Sequence, residues 1–194
     1  MSTSPDEIDA ALVAACFRQI AAQGWARLSI PLAAHEAGIA LDIARTRLPT
    51  RYDLLRRFGA MADAAALKGA VAEGPVRDRL FDLVMRRIDV LQTHRDGVRA
   101  LLRAIPFDPA AALLLARANL CSMDWCLAAA GLPARPHAAG LMAVWAWTVR
   151  AWDRDDSEDL AATMAALDRA LDRAEQVAGR FARSSPPQEP AHAE

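Results

Sequence analysis

The sequence predicts an all-α protein of about nine helices, and two kinds of observation carry that prediction. Residues that start helices (Ser, Thr or Asp, often before a proline or an acidic residue) and residues that end them (glycine or proline) alternate along the 194 positions. Between them, apolar side chains recur every three or four positions, and no segment alternates with the period of two typical of a half-buried strand. A hydrophobic fraction of 54% is ample for a helical core.

Four helices are expected before the Gly74-Pro75 pair, which is a natural break in the chain. Ser4-Pro5-Asp6-Glu7 combines a cap, a proline at the first helical position and a capping-box carboxylate. Ser29 is predicted to cap the second helix, and Thr50, with Asp53 three residues later, to open the fourth. The predicted ranges of the four helices are 5–24, 30–37, 41–48 and 50–72.

Five more helices are expected after this break. Asp108-Pro109 repeats the cap-plus-proline start, and Ser157, followed by two acidic residues, is predicted to cap the last helix. The segment 140–152 is apolar almost all round, which indicates burial on two sides. The predicted ranges are 76–94, 97–105, 109–131, 140–152 and 157–181, and the Ser-, Pro- and Glu-rich tail 184–194 is expected to be disordered.

Charge, cysteine content and hydropathy narrow the class of protein. The formal net charge is −1, unlike that of a protein that coats nucleic acid, although a site-specific DNA-binding protein needs only a local basic patch. Three cysteines without zinc-site companions favour a reduced, cytoplasmic compartment. The N-terminus is unlike a signal peptide, and no apolar run reaches the roughly 18 residues of a membrane span, so we expect no membrane partner.

Patterns for catalysis, metal binding and cofactor binding are weak. The four histidines are scattered, and His94 is expected near the C-terminal end of a helix, where a cation is favoured. The acidic turn 153–156 has no partner base and is expected to be a solvated loop. The sequence has no Gly-rich phosphate loop and no nucleophile elbow. We therefore expect no enzyme activity, no cofactor and no bound metal.

Two stretches in the N-terminal third resemble the regulators of the TetR family. Residues 24–39, GWARLSIPLAAHEAGI, contain a Gly-aromatic pair, a hydroxyl residue at the second helix start and an Ala-x-x-Ala-Gly-aliphatic turn. Residues 48–55, LPTRYDLL, are similar to the family's aromatic-Pro-Ser-Lys-x-x-Leu-Leu. This resemblance implies a TetR-like fold, with a helix-turn-helix DNA-binding domain at 1–58 and a helical domain for effector binding and dimerisation at 59–183.

The resemblance also implies a double-stranded DNA operator as a partner. In such proteins the third helix enters the major groove, and the start of the fourth helix, whose free N–H groups suit a phosphate, meets the backbone. Residues 40–58 contain five arginines against two aspartates, a local charge of +3. The candidate DNA-binding residues are Ser29, Arg45, Thr46, Arg47, Thr50 and Arg51.

The third helix departs from the family pattern. Ala40-Leu41-Asp42-Ile43 replaces the usual small residue, lysine and glycine, and the tyrosine that family members use for a phosphate contact has no counterpart. Asp42 faces DNA unfavourably unless it accepts a hydrogen bond from a cytosine amine. The sequence therefore leaves open whether the third helix contacts DNA bases.

A second family shares the three-helix start, namely the TetR-fold lipid-binding proteins of ubiquinone biosynthesis. Residues 43–49, IARTRLP, are similar to a run found in some of them. These proteins generally end in an amphipathic, membrane-seeking helix, whereas residues 182–187, ARSSPP, cannot form one. A repressor is therefore the leading hypothesis, and a lipid- or isoprenoid-binding accessory protein without DNA binding is the alternative.

In TetR-like proteins the last two helices pair with their twofold mates, and the preceding helices enclose an effector pocket. The segments 140–152 and 157–181 fit such dimer helices, so we expect a homodimer that Leu167→Arg would break. Soft and aromatic side chains suit an apolar small-molecule effector in a pocket of about 300–1,000 Å³. The candidate ligand-binding residues are Met123, Trp125, Cys126, Met142 and Trp145.

Overall fold

The computed structural model describes residues 4–70 and 73–184, with the side chains of all these except 135, 136 and 180–184. Within this part, the chain forms nine α-helices and two 3₁₀ helices and contains no strand, which confirms the all-α prediction. The elements are α1 (Pro5–Gln23), η1 (Trp25–Arg27), α2 (Ile30–Glu36), α3 (Leu41–Arg47), α4 (Arg51–Leu67), α5 (Val76–Gln92), α6 (Arg95–Ala104), η2 (Ile105–Phe107), α7 (Pro109–Ala129), α8 (Ala134–Trp152) and α9 (Ala161–Ser184).

The predicted caps of the early helices are confirmed in atomic detail. The Ser4 hydroxyl accepts a hydrogen bond from the Glu7 amide at 3.2 Å, while the Glu7 carboxylate accepts one from the Ser4 amide at 2.7 Å. Ser29 accepts from the third residue after it in the same way, at 3.4 Å. These bonds satisfy amide groups that have no partner inside the helix, which is why the helices begin where the sequence predicts.

Three predicted boundaries are wrong. α4 ends at Leu67 rather than near residue 72, because Gly69 adopts a φ of 68°, which no right-handed helix contains. α8 begins at Ala134, six residues early, and accommodates Pro136 in its first turn, where a missing N–H costs no hydrogen bond. α9 begins at Ala161 rather than at residue 157. The tail predicted to be disordered lies, apart from residue 184, outside the described residues.

The chain divides into two compact units, Met1–Met142 and Ala143–Glu194. In the first unit α1 packs against α2, α4 and α6, and α4 packs against α5 and α7. Helices on both sides of the predicted boundary at residue 58 therefore share one core. The division into a domain at 1–58 and a domain at 59–183 stays a prediction about function.

The contact between α1 and α6 in the first unit requires a residue without a side chain. A Cβ atom on Gly97 would lie 2.4 Å from the Phe17 carbonyl oxygen, so only glycine fits this crossing without displacing backbone. The His94 ring stacks on the Phe17 ring at a centroid distance of 5.2 Å and lies 5.8 Å from the Phe58 ring. His94 lies just after the end of α5, as expected, but burial and the charge of Arg18 lower its pKa and disfavour the cationic form.

The second unit contains the end of α8 and all of α9. Each helix buries residues at a spacing of three or four, as a packed helix pair requires. The buried residues are Val144, Trp145, Thr148 and Trp152 on α8, and Thr163, Ala166, Leu167 and Leu171 on α9. Leu167 has no exposed surface within one protomer, so Leu167→Arg would disrupt this core rather than report on a dimer.

One helix of the described part, α7, is long and apolar enough to cross a membrane by length and composition alone. The prediction of no membrane span rested on uninterrupted apolar runs, and Arg117 and Asp124 interrupt this one. Since a core helix of a soluble protein passes the same test, this finding is weak evidence for a membrane.

Candidate nucleic-acid interface and effector region

Helices α2 and α3 form a tight helix-turn-helix. Gly38 adopts a φ of 67°, and the Ile39 amide donates to the Ala34 carbonyl at 2.9 Å, which closes the end of α2. Ala34 and Ala44 are buried, with at most 2% of their surface exposed, so small side chains let the two helices approach closely. The turn residues of the TetR-like motif therefore position α3 as predicted.

Most of α3 faces solvent. Five of its seven residues are exposed, and its buried residue is Ala44. The exposed residues are Leu41, Asp42, Ile43, Arg45 and Thr46. Leu41 is 60% exposed and Ile43 37%, so the outer face of this helix is mixed apolar and polar, not uniformly basic.

Two of the DNA-binding candidates, Arg45 and Thr46, keep their side chains at this exposed face. The Arg45 guanidinium donates to the Pro49 carbonyl at 2.8 Å, and the Thr46 hydroxyl donates to the Asp42 carbonyl at 2.9 Å. Both bonds are local and exposed to water, so a base or a phosphate can replace them at little cost.

Arg47 is half-buried and pairs with a carboxylate that lies outside the basic segment 40–58. Asp9 of α1 is 6% exposed and pairs with Arg47 at 3.2 Å and with Arg57 of α4 at 3.1 Å. A nearly buried carboxylate between two guanidinium groups thus ties α3 and α4 to α1. Arg47 is therefore placed to hold α3 against α1, and its guanidinium could reach a molecule outside the chain only by leaving Asp9.

Arg51 is held in the same way by Asp108, which lies at the start of α7. The two side chains pair at 3.1 Å, and the Arg51 guanidinium also lies 5.2 Å from the Trp25 ring centre and 5.1 Å from that of Tyr52. The Trp25 indole donates to the same carboxylate at 2.9 Å. Hydrogen bonds from Trp25 and the Ala111 amide keep the pKa of Asp108 below its usual range.

The expected phosphate seat at the start of α4 already contains a carboxylate. Asp53 accepts from the Thr50 hydroxyl at 2.6 Å and from the Thr50 amide at 3.0 Å, and these bonds lower the pKa of Asp53. Arg56 pairs with Asp53 at 2.8 Å. A phosphate at this helix end would therefore compete with the negative charge of Asp53.

These pairs change the charge balance that the sequence predicts. In the described residues, four of the five arginines between 40 and 58 are paired with aspartate, and two of these partners, Asp9 and Asp108, come from outside that segment. Five arginines therefore face four aspartates, and the local charge falls from +3 to +1. The basic patch is weaker than a count along the sequence indicates.

The five ligand-binding candidates do not share one environment. Met123 and Cys126 are buried on the inner side of α7 in the first unit, whereas Trp125 is 63% exposed on that helix. Met142 is half-buried, and Trp145 is buried but belongs to the second unit. Met123 and Cys126 are thus the pair that the structure places in one core.

A polar cluster centred on the buried Arg87 lies close to Cys126, and none of the sequence patterns above predicts it. Arg87 of α5 is 2% exposed, pairs with Asp63 of α4 and donates to Asn119 of α7 at 3.2 Å. The Ser122 hydroxyl donates to Asp63 at 2.8 Å. One sequence feature could have revealed it, because Arg87 occupies a core position in the α5 stripe of Leu83, Val84, Ile88 and Leu91.

The arrangement of these helices is that of solved TetR regulators. The TetR transcriptional regulator from Nitrosomonas europaea superposes with a TM-score of 0.74 at 21% identity, over 87% of this chain and 98% of that one. A TetR-family transcriptional regulator from Streptomyces coelicolor superposes with a TM-score of 0.57 at 16% identity, over 96% and 93%. No protein-family model and no curated protein matches the sequence. The chain therefore has the TetR-like, all-α fold.

Proposed function

We propose that the protein is a TetR-like transcriptional repressor. It binds a DNA operator as a homodimer, through α3 and the start of α4, and releases it when an apolar small molecule binds among the later helices. The observation that carries the proposal is the exposure of five of the seven residues of α3, on a helix anchored from behind by Ala44 and the Arg47–Asp9 pair. A helix so presented suits insertion into a major groove.

Arg45 and Thr46 are the leading candidates for base and phosphate contact, since their side chains are exposed and only locally bonded. Thr50 and the first amide groups of α4 are the backbone contacts, and Ser29 lies at the start of α2. Arg47 and Arg51 contribute mainly by positioning α3 and α4. This division of roles makes a testable difference between exposed and paired arginines.

A salt titration of binding to the protein's own upstream DNA tests the proposal. Arg45→Ala should lower the slope of log affinity against log salt by about one unit, since one counterion release is lost. Arg103→Ala is the control and should leave the slope unchanged, because Arg103 is exposed on α6, which is not one of the proposed DNA-binding helices. If the unmodified protein shows no salt-dependent affinity at about 50 mM salt, the regulator proposal fails.

The proposed dimer is formed by α8 and α9, which leave apolar side chains exposed on one protomer. Trp147 is 52% exposed, Val177 50% and Met164 36%. We expect Trp147→Glu to convert the dimer to a monomer in light scattering without lowering the helical content, because the substitution changes no buried residue. A monomeric unmodified protein at tens of micromolar would contradict the dimer.

For the effector we propose a predominantly apolar molecule that binds beside Met123 and Cys126. Its binding should raise the melting temperature by mass action. Met123→Ala should weaken this shift, and Trp125→Ala, on the exposed side of α7, is the control. If fatty acids, quinones and aromatic hydrophobes all leave the melting temperature unchanged, these residues are plain core.

A second candidate, a lipid- or isoprenoid-binding accessory protein without DNA binding, is favoured by one observation. The outer face of α3 exposes Leu41 and Ile43, while the arginines around it are mostly paired with aspartate. Mass spectrometry of organic extracts of the purified protein, together with the salt titration, separates the two. A co-purified isoprenoid and no DNA affinity would favour this candidate.

A further inference from the structure

The outer side of α7 carries an exposed stripe that the fold and the proposed function leave unexplained. We call it the α7 stripe. Its residues lie within about 50° of one line along the helix, as a spacing of 3.6 residues per turn dictates. They are Leu113, Arg117, Leu120, Cys121, Asp124 and Ala128, all exposed. Leu113, the fifth residue of α7, is 72% exposed and Leu120 is 42% exposed, so two large apolar side chains share this face of the helix.

Two opposite charges lie on this stripe without an acidic or basic partner of their own. The ion pairs found among the described residues involve neither Arg117 nor Asp124. The two residues are seven positions apart, which is about 10 Å along the helix, too far for them to pair with each other. Both charges are exposed to water and are therefore accessible to a molecule outside the chain.

The stripe is self-complementary about the midpoint between Leu120 and Cys121, because residues at equal distances on its two sides differ in charge or size in matching ways. Arg117 precedes this midpoint by about 5 Å of helix, and Asp124 follows it by the same distance. At the ends of the stripe, the large Leu113 and the small Ala128 are again equally far from the midpoint. A surface that complements itself after a rotation of 180° is the requirement for a twofold contact between identical subunits.

We propose that the α7 stripe is a contact between two copies of this chain, in which the two α7 helices pack antiparallel about a twofold axis at this midpoint. Arg117 then lies opposite Asp124 of the partner subunit, and Asp124 lies opposite Arg117 of the partner subunit. Leu120 packs against Leu120 of the partner subunit. A parallel arrangement would place like charges together, which is unfavourable.

This contact goes beyond the proposed function, because it uses neither the α8–α9 surface nor the DNA-binding helices. A single helix pair buries less than the roughly 800 Å² per partner of a standard interface, so the contact is weak and depends on protein concentration. It would join dimers into larger assemblies. The test must therefore detect proximity rather than a stable complex.

Cys121 provides that test. At an ordinary interhelical distance of 8–10 Å, its Cα atom would lie about 5–7 Å from that of its twofold mate, within reach of a disulfide. The other two cysteines, Cys16 and Cys126, are buried and do not compete. Mild oxidation should produce a cross-linked pair of chains on a non-reducing gel, and Cys121→Ser should abolish it.

Charge reversal tests the geometry. Arg117→Asp and Asp124→Arg should each reduce the rate of cross-linking by about tenfold or more, because like charges then meet across the axis. The double variant should recover the original rate, since the pairs are restored with opposite sign. Both positions are exposed, so melting temperatures should not change.

The monomeric Trp147→Glu background separates this proposal from the α8–α9 dimer, because cross-linking at Cys121 should persist there. No cross-link in the unmodified protein, or no recovery in the double variant, would overturn the α7 contact and leave the proposed regulator untouched. Flotation with neutral lipid vesicles that disappears on Leu113→Ser would also overturn it, because the stripe would then be a lipid surface.

Discussion

Asp108 and Asp155 each bind the first turn of a long helix, but they reach it by different routes. Asp108 directly precedes α7 and accepts the Ala111 amide three residues later at 3.0 Å. Asp155 lies three residues after the end of α8 and accepts a hydrogen bond from the Thr163 amide of α9, eight residues later, at 2.7 Å. Asp108 also bonds Trp25 and Arg51, whereas Asp155 also bonds Ser157 and the Thr163 hydroxyl.

This comparison shows that a helix start can be predicted from the sequence by a local rule when the capping residue directly precedes the helix, but not when the capping carboxylate lies farther away. The Asp-Pro pair before α7 follows the rule, because cap and capped amide are three residues apart. At α9 the rule selects Ser157, but its hydroxyl donates to Asp155 at 2.5 Å instead of capping a helix. The residue before α9 is Leu160, with a φ of 55°, a conformation that leucine rarely adopts. Asp155, 4% exposed, is therefore an anchor and not part of a solvated loop.

Breaking the longer-range anchor should have the largest effect. Asp155→Ala removes a buried carboxylate that accepts hydrogen bonds from the amide and the hydroxyl of both Ser157 and Thr163. We expect the free energy of unfolding to fall by about 2–4 kcal/mol, measured by urea denaturation. Glu158→Ala, at an exposed position in the same loop, is the control and should have little effect. Equal effects of the two substitutions would contradict this role of Asp155.

The free energy of unfolding at acidic pH should also depend on the Asp155 carboxylate. Burial raises the pKa of Asp155, but hydrogen bonds from Ser157 and Thr163 lower it by a larger amount, so that the pKa in the folded protein is about 2. An unfolded aspartate titrates near about 3.9, so the folded state favours the ionised form. The stabilisation by Asp155 is therefore complete above the unfolded pKa of about 3.9, and it is lost as the pH falls toward the folded pKa of about 2. The difference in unfolding free energy between the protein and Asp155→Ala should shrink over that range, and a constant difference would contradict the assignment.

The same limit of local rules decides what could be predicted of the candidate site. The turn at Gly38 and the exposed Arg45 follow from residues close together in the sequence, and the structure confirms the turn. The partners of Arg47 and Arg51 lie 38 and 57 positions away, so only the packing of α1 and α7 brings them together. Local charge counting cannot anticipate such pairs. It therefore overestimated the basic patch.

Asp108→Asn should have a smaller effect on stability than Asp155→Ala, because asparagine can still accept the Ala111 amide and cap α7. The ion pair with Arg51 is lost, however, and the pKa of Asp108, already lowered by its hydrogen-bond donors, shows that these partners favour the charged form. We expect a modest fall in melting temperature and a shift in Trp25 fluorescence, since its indole donates to this carboxylate. Asp96→Asn, at an exposed position on α6, is the control.

Ser157→Ala should have the smallest effect and sharpen the comparison most. The hydroxyl contributes one hydrogen bond to Asp155, and the Ser157 amide, which donates to the same oxygen at 3.1 Å, remains. We therefore expect a loss of about 0.5–1.5 kcal/mol in unfolding free energy. If Ser157 were instead the cap of α9, the substitution would act independently of Asp155. In the structure the two are coupled, so Ser157→Ala added to Asp155→Ala should cost almost nothing more. Additive losses in this double-mutant cycle would instead indicate that Ser157 caps α9 independently of Asp155.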